Sequence, residues 1–180
     1  MVPSPYAKVE RERRFLMVAL PDQDDVVARR RIDDRYIEGT RLRLRRVVDL
    51  STGECTYKLT QKLDYRPATY GVSWITTAYL DPTDAEVLSR LPASSITKVR
   101  LSVPPLGVDV FEDRLAGLIL GEVEFKSDAE MRWFEPPPVC VHDVTADPRF
   151  TGARLSTAPV GEVLEWLREY GIDPLSRRRS

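Results

Sequence analysis

The sequence predicts an α+β chain, mainly antiparallel β, whose strands close into a barrel or pack as a sandwich. Three observations predict it. Short segments that alternate charged and apolar residues recur along most of the chain, the period of a strand with two unlike faces. Turn signals separate them, Ser51-Thr52-Gly53 and Pro104-Pro105-Leu106-Gly107 among them. Helical patterns are few, which leaves about eight strands to pair with one another.

In order, Lys8 to Met17 alternates as a strand. Asp22 to Arg30 reads as a short helix with an acidic first turn, and a strand follows near Arg31–Glu38. Strands are expected at Thr40–Asp49, Glu54–Asp64 and Ala68–Tyr79. Asp81-Pro82-Thr83-Asp84 opens a helix to about Leu91: a capping residue, proline at the first position, then acid near the positive end. Ser94–Val103, Val108–Asp113 and Ile119–Phe125 are further strands. Ser127 to Phe134 reads as a short helix capped by Ser127 with Glu130 three residues on. After Pro136-Pro137-Pro138, an amphipathic helix over Pro159–Tyr170 carries Val160, Val163, Leu164 and Leu167 and ends at Gly171. Short loose ends are expected at Pro3–Pro5 and at Ser176–Ser180.

The chain of 180 residues suits one domain spanning 1–180. With 42% hydrophobic and 31% charged residues it fits neither a disordered nor a membrane-embedded class. No apolar run approaches the ~20 residues of a spanning helix, and the start has no signal-peptide core, so a soluble, cytoplasmic protein is expected. Cys55 and Cys140 are far apart, fit no metal spacing and read as reduced. A single histidine, His142, argues against a His-rich zinc site and a histidine-dependent triad and reads as structural or surface. The net charge of −1 gives no global pull toward nucleic acid or membrane. Arginine outnumbers lysine 22 to 5, and its planar fork matches phosphate oxygens.

Every second side chain of a strand points to the same face. Glu10, Glu12 and Arg14 therefore share a face, as do Arg41, Arg43 and Arg45. Lys58, Thr60 and Lys62 oppose Tyr57, Leu59 and Leu63, and Lys98 and Arg100 oppose Val99 and Leu101. Asp109 opposes Val108 and Val110, and Glu122 and Glu124 oppose Gly121, Val123 and Phe125. A sheet with one wet face explains any single strand. It does not explain charges sorted by strand, acids on some and bases on others, where a merely soluble face intersperses the signs. Nor does it explain Glu-x-Glu twice, since carboxylates so placed repel unless a cation sits between them. A hard divalent ion, Mg²⁺ or Mn²⁺, takes oxygen ligands of this kind and accepts carboxylates together with substrate phosphate.

Seven bases (Arg14, Arg43, Arg45, Lys58, Lys62, Lys98, Arg100) then face five acids (Glu10, Glu12, Asp109, Glu122, Glu124). Buried dry, each ion would lose several kcal/mol of hydration, more than a marginally stable fold has to spare. A lumen lined by them is expected to be wide and water-filled. A metal-bound triphosphate complements it, each cation about 4 Å from a phosphate oxygen contributing on the order of 4 kcal/mol before desolvation.

Lys8-Val-Glu-Arg-Glu-Arg-Arg-Phe-Leu-Met17 resembles the opening ExExK strand of the CYTH domain, the fold of the triphosphate tunnel metalloenzymes. Arg41-Leu-Arg-Leu-Arg45, Tyr57-Lys-Leu-Thr-Gln-Lys62, Thr97-Lys-Val-Arg100, Val108-Asp-Val-Phe111 and Leu120-Gly-Glu-Val-Glu-Phe125 follow in the family's order. The resemblance covers about residues 8–155, with the helix at about 159–170 beyond it. It implies a closed eight-stranded, tunnel-like antiparallel barrel with a few flanking helices. The family includes inorganic triphosphatases, thiamine triphosphatases and class IV adenylyl cyclases. By position, Glu10, Glu12, Glu122 and Glu124 would hold Mg²⁺ or Mn²⁺ with Asp109 beside them. Arg43, Arg45, Lys58, Lys62, Lys98 and Arg100 would bind the substrate, and Glu10, Glu12, Arg14 and Lys62 form the catalytic set.

Two departures stand out. The motif's lysine is Arg14, which cannot act as a proton donor. The acidic pair that triphosphatases of the family commonly carry after the Lys62 strand is replaced by Arg66-Pro-Ala-Thr-Tyr-Gly-Val-Ser73, with Thr69 and Gly71 near those places. That weakens a second metal site. The function expected is metal-dependent hydrolysis of an inorganic, organic or nucleoside triphosphate. The alternatives are a non-catalytic polyphosphate or nucleotide binder and a class IV-type adenylyl cyclase. The partner is a small triphosphate, with no nucleic acid and no membrane, and a homodimer is left open. Trp74, Trp133 and Trp166 read as packing residues, and Trp74 has the alternative of the tunnel mouth. Arg11 and Arg13 read as solvated on the outer face, and Arg41 as inward or at the rim. Arg177–Arg179 is too short a run to argue for nucleic acid.

Overall fold

The structure is a computed structural model that describes residues 4–65 and 69–172. Alternation along β1 (Lys8–Met17) sends Glu10, Glu12, Arg14 and Leu16 to one face and Phe15 and Met17 to the other. The same two-faced pattern builds β2 (Ala28–Ile37), β3 (Leu42–Asp49), β4 (Cys55–Asp64) and β5 (Val72–Leu80). It continues in β6 (Ala93–Val103), β7 (Leu106–Phe111) and β8 (Ile119–Glu124). All pair antiparallel in the order β5-β4-β3-β2-β6-β7-β8-β1, and β1 returns to β5 through Lys8↔Ile75 and Glu10↔Ser73, which closes an eight-stranded barrel. A ninth strand, β9 (Cys140–Asp143), lies outside the closure. It takes over the same edge of β1 where β5 leaves off, with Leu16 opposite His142 and Met17 opposite Cys140.

Gly71 sits at that hand-over. Its φ of +74° suits a residue without a Cβ, and a Cβ there would collide with the backbone oxygen of Glu12 and with the side chains of Met131 and Thr145. Its carbonyl instead accepts the Glu12 N–H at 2.8 Å. Gly71 is therefore a joint of the barrel wall. β5 begins only at Val72 and its inward positions are Ser73, Ile75, Thr77 and Tyr79, so Thr69 and Gly71 precede the strand and are not part of that row.

Apolar residues pack in two places. On the outer face Phe15, Met17, Leu101, Leu106, Val108, Ile119 and Val123 form one cluster, covered by Phe125, Phe134, Val139 and Cys140. The helix α1 (Pro82–Ser89) packs on β3 and β4, with Asp81 accepting the Thr83 N–H at 2.8 Å as its cap. α2 (Asp128–Trp133) opens on a reciprocal cap: Ser127 accepts from the Glu130 N–H and Glu130 accepts from the Lys126 N–H. The second cluster lies at one end of the barrel. There the inner face turns apolar at Leu16, Ile96, Phe111 and Leu120, which pack with Phe150, with Leu155 of α3 (Gly152–Thr157), and with Val163, Trp166 and Leu167 of α4 (Val160–Glu169). The C-terminal helices thus plug one end, and the charged face opens at the other.

Four local expectations change. Asp22–Arg30 is a single 3-10 turn, Gln23–Asp25, and then strand from Ala28, because Ala28–Arg31 pair with Val99–Ser102 of β6. β9 and α3 were not expected, being four and six residues long; β9 owes its form to the edge of β1. Arg13 is not solvated: it pairs with Asp143 of β9 at 2.7 Å, donates to the Phe134 carbonyl and lies over the Phe15 ring. Arg11 pairs with Asp128, so both outer arginines tie helix and strap to β1. Of the expected loose ends at Pro3–Pro5 and Ser176–Ser180, Pro3 and all of Ser176–Ser180, Arg177–Arg179 with them, lie outside the described residues, as do residues 66–68, while the Ser4 carbonyl accepts the Ala7 N–H at 2.9 Å. No helix among the described residues is long and apolar enough to cross a membrane.

Candidate active site

The inner face brings together ionic side chains from every barrel strand except β5. Glu10 of β1 meets Lys62 of β4 at 2.6 Å and accepts from the Ser73 hydroxyl at 3.1 Å. Glu12 accepts from Arg14 Nε and Nη2 at 3.2 and 3.1 Å. Asp109 of β7, fully buried, takes Lys98 and the fork of Arg100 from β6. Arg100 reaches on to Glu122 of β8, with Arg14 3.9 Å from the same carboxylate. Asp34 of β2, 1% exposed, holds Arg45 of β3 through two hydrogen bonds of 2.6 and 2.7 Å, and Arg43 stands 3.6 Å away.

Asp34 was missed in the sequence, because Arg31-Ile-Asp-Asp-Arg35 shows no clean alternation of charge. A signal existed: Ile32, Asp34 and Tyr36 occupy one face, an acid between two large apolar neighbours. Its addition changes the seven bases against five acids to seven against six.

The expected wide and hydrated lumen gives way to ion pairs folded onto one another. Buried charges that lack water need a counter-charge, and a register that sets acids beside bases supplies it. The consequences for protonation differ by residue. Burial alone would raise Glu122, but Arg100, Lys98, Arg14 and Arg45 overcome it and hold the carboxyl far below its usual range. Asp34 is likewise held low by Arg45 and Arg43 against its burial, and Glu10 by Lys62 and Ser73. Glu12 goes the other way. Burial and the negative charge of Glu122 push it up, with Glu10 adding to the rise and Lys62 and Arg14 only partly offsetting it.

Tyr36, pushed up to about 12 by burial and by Asp34, stays a neutral phenol beside Arg43. Arg14 uses its whole fork. Besides Glu12, its Nη1 donates to the Phe150 carbonyl of the plug at 2.9 Å, a span of contacts that one ammonium could not make.

Some expected site residues stand apart. Glu124 faces Glu12 across the β1–β8 ladder but is exposed at the open end. Lys58 is in register with Arg45 and leans over the Tyr79 ring at 5.0 Å, toward the rim. Arg41 is exposed at the rim. Among the described residues no three carboxylate, histidine or cysteine side chains converge as a ready-made metal cage. Each acid is drawn to its own cation instead. His142 lies against the Tyr170 ring, Trp74 stacks on Tyr65, and Trp166 is in the plug, all packing positions; Trp133 is exposed. Cys55 and Cys140 are free thiols.

The likeness to the CYTH domain read from the motifs extends to the fold, a closed antiparallel barrel with an ionic interior. The chain is similar to a solved structure described as the hypothetical protein NE1496, with 26% sequence identity and a TM-score of 0.55 over 83% of this chain and 99% of that one. It is similar also to a structure described as the inorganic triphosphatase NE1496, at 26% identity and a TM-score of 0.54 over 83% of this chain and 96% of that one. The PH1819 protein of Pyrococcus horikoshii OT3 is more distant, at 18% identity and a TM-score of 0.47 over 94% of each chain. No family model and no curated relative matches the chain in sequence.

Proposed function

We propose that this chain hydrolyses a triphosphate inside the barrel in a reaction that depends on a divalent metal. The observation that carries the reading is the convergence of Arg14, Arg43, Arg45, Lys62, Lys98 and Arg100 on one enclosed face, at the open side of a plugged barrel. The neighbour described as an inorganic triphosphatase supports it.

Glu12 and Glu124 stand directly opposite each other across the β1–β8 ladder, two like charges that a hard cation would relieve. Glu12 is raised because burial and Glu122 disfavour its charge, so an added positive charge beside it is favourable. Glu10, Glu12, Glu122 and Glu124 are the residues that would hold Mg²⁺ or Mn²⁺. Bound there, the ion would offset the charge of the phosphate oxygens and polarise the terminal phosphoryl group. Asp109, committed to Lys98 and Arg100, holds those two cations toward the lumen. Lys62, Arg100 and Arg43 of β3 neutralise charge that spreads over the phosphoryl oxygens as water attacks the terminal phosphorus, so the protein's part is positioning and electrostatics. Arg14, permanently charged and tied to Glu12 and Phe150, orients the acid and donates no proton.

A non-catalytic polyphosphate binder is the second reading, favoured by the uncharged inward face of β5, where Ser73, Ile75, Thr77 and Tyr79 stand. Purified protein with tripolyphosphate, ATP or thiamine triphosphate, each with Mg²⁺ or Mn²⁺, separates the readings. Release of orthophosphate supports hydrolysis, and pyrophosphate with cyclic AMP supports a cyclase. Tight binding without turnover supports the binder. Glu124→Gln, at an exposed site free of the buried pairs, is expected to lower metal-dependent turnover at least tenfold with an unchanged melting temperature.

A further inference from the structure

Arg43 and Arg45 are equivalent in the Arg-Leu-Arg-Leu-Arg run, both inward on β3, and the structure makes them unequal. Arg45 gives Nε and Nη2 to the two oxygens of Asp34. Its Nε occupies Oδ1, the same oxygen that Arg43 Nε approaches only to 3.6 Å, too far for a hydrogen bond. Arg43 Nε is buried and finds no acceptor among the described residues. A buried donor left unsatisfied is costly, so the Arg43 guanidinium gains by turning to meet an anionic oxygen in the lumen and gives up no hydrogen bond of Nε in doing so. To reach the same anion, Arg45 would have to abandon a bidentate, charge-assisted pair. Arg43 is also the more open side chain, 28% exposed against 14%.

We infer that Asp34 divides the work of the two arginines, retaining Arg45 as a strut of the barrel wall and leaving Arg43 as the donor that meets a phosphate oxygen. Asp34 touches no substrate and is a positioning residue. The inference rests on the triphosphate reading above and deepens it. It carries a sign that a purely structural role does not: Asp34→Asn releases Arg45 into the lumen and removes one negative charge, so the variant binds triphosphate more tightly.

The test measures calorimetric binding of inorganic tripolyphosphate in chelator, where no turnover occurs, with circular dichroism to confirm folding. Asp34→Asn is expected to tighten binding at least threefold. With metal, it is expected to lower both KM and kcat, because the freed guanidinium grips the ground state from the wrong place. Arg43→Gln is expected to weaken binding at least tenfold. Asp34→Asn with Arg45→Gln, which removes strut and anchor together, is expected to lose severalfold less than Arg43→Gln. That comparison still decides if Asp34→Asn alone does not fold. Unchanged or weaker binding by folded Asp34→Asn, or a double variant as weak as Arg43→Gln, overturns the division of labour while wild-type binding leaves the functional reading standing. Wild-type protein that binds no tripolyphosphate removes both.

Discussion

Replacing Asp109 with asparagine keeps the size of the side chain and removes the charge on which Lys98 and Arg100 converge. Asp109 is wholly buried, Lys98 is 5% exposed, and Arg100 would be left with Glu122. Breaking one partner out of a buried pair costs about 3–5 kcal/mol, because the remaining charge is stranded without water. A domain of this size loses roughly 2–4 °C of melting temperature per kcal/mol, so the variant is expected to melt some 6–20 °C lower. Glu86→Gln is the internal control. Its ion pair with Arg90, the residue that caps α1, is about as close, 2.9 Å, but both side chains are about 70% exposed, and such a pair contributes about 0.3–0.5 kcal/mol. The assay is thermal unfolding of the two variants and the parent by circular dichroism in one buffer. An Asp109→Asn protein that melts within about 2 °C of the parent, or a Glu86→Gln protein that drops as far, would refute the account of the interior as a set of mutually dependent charges.

Gly71→Ala forces a Cβ against the Glu12 backbone at a positive φ and is expected to cost roughly 1–3 kcal/mol. Gly161→Ala, with nothing within 4 Å and a helical setting, is expected to be neutral or stabilising, and urea midpoints that rank the two the other way would contradict the joint assigned to Gly71. The depressed carboxyls of Glu10, Asp34 and Glu122 supply stability that is complete above about pH 4.3 and drains away as pH falls through their folded values. The urea midpoint is therefore expected to fall steeply below about pH 4, and a midpoint that holds or rises there counts against those pairs. Glu12 acts with the opposite sign: its folded pKa is raised, so its contribution is lost as pH climbs from about 4.3 through that value. Glu12→Gln is expected to flatten that decline above about pH 4.3, and a profile parallel to the parent's would show that burial, Glu122 and Glu10 do not press on it.

Much of the site was legible residue by residue. Glu10, Glu12, Arg14, Arg43, Arg45, Lys62, Lys98, Arg100, Asp109 and Glu122 were assigned to one face by alternation alone, and they share one interior. Asp34 was not, because Asp33 beside it blurs the alternation and only the Arg45 fork marks which of the two points inward. Gly71 looked like a lost ligand position when it is a close approach of two backbones, a contact between residues far apart in the chain. The short β9 has no periodicity long enough to read and exists because β1 leaves an edge uncovered beyond β5.

Composition and spacing by themselves determined that the chain is mostly strand and that each strand has an ionic and an apolar side. A strand's side chains must alternate, so local order is sufficient for those statements. Only the tertiary structure decided which acid answers which base, that the ionic side is the inside, and that α3 and α4 stop one end of it. Those depend on cross-strand register and on how the sheet curls shut, and a pairing such as Asp34 with Arg45 or Arg14 with Phe150 is set by that closure.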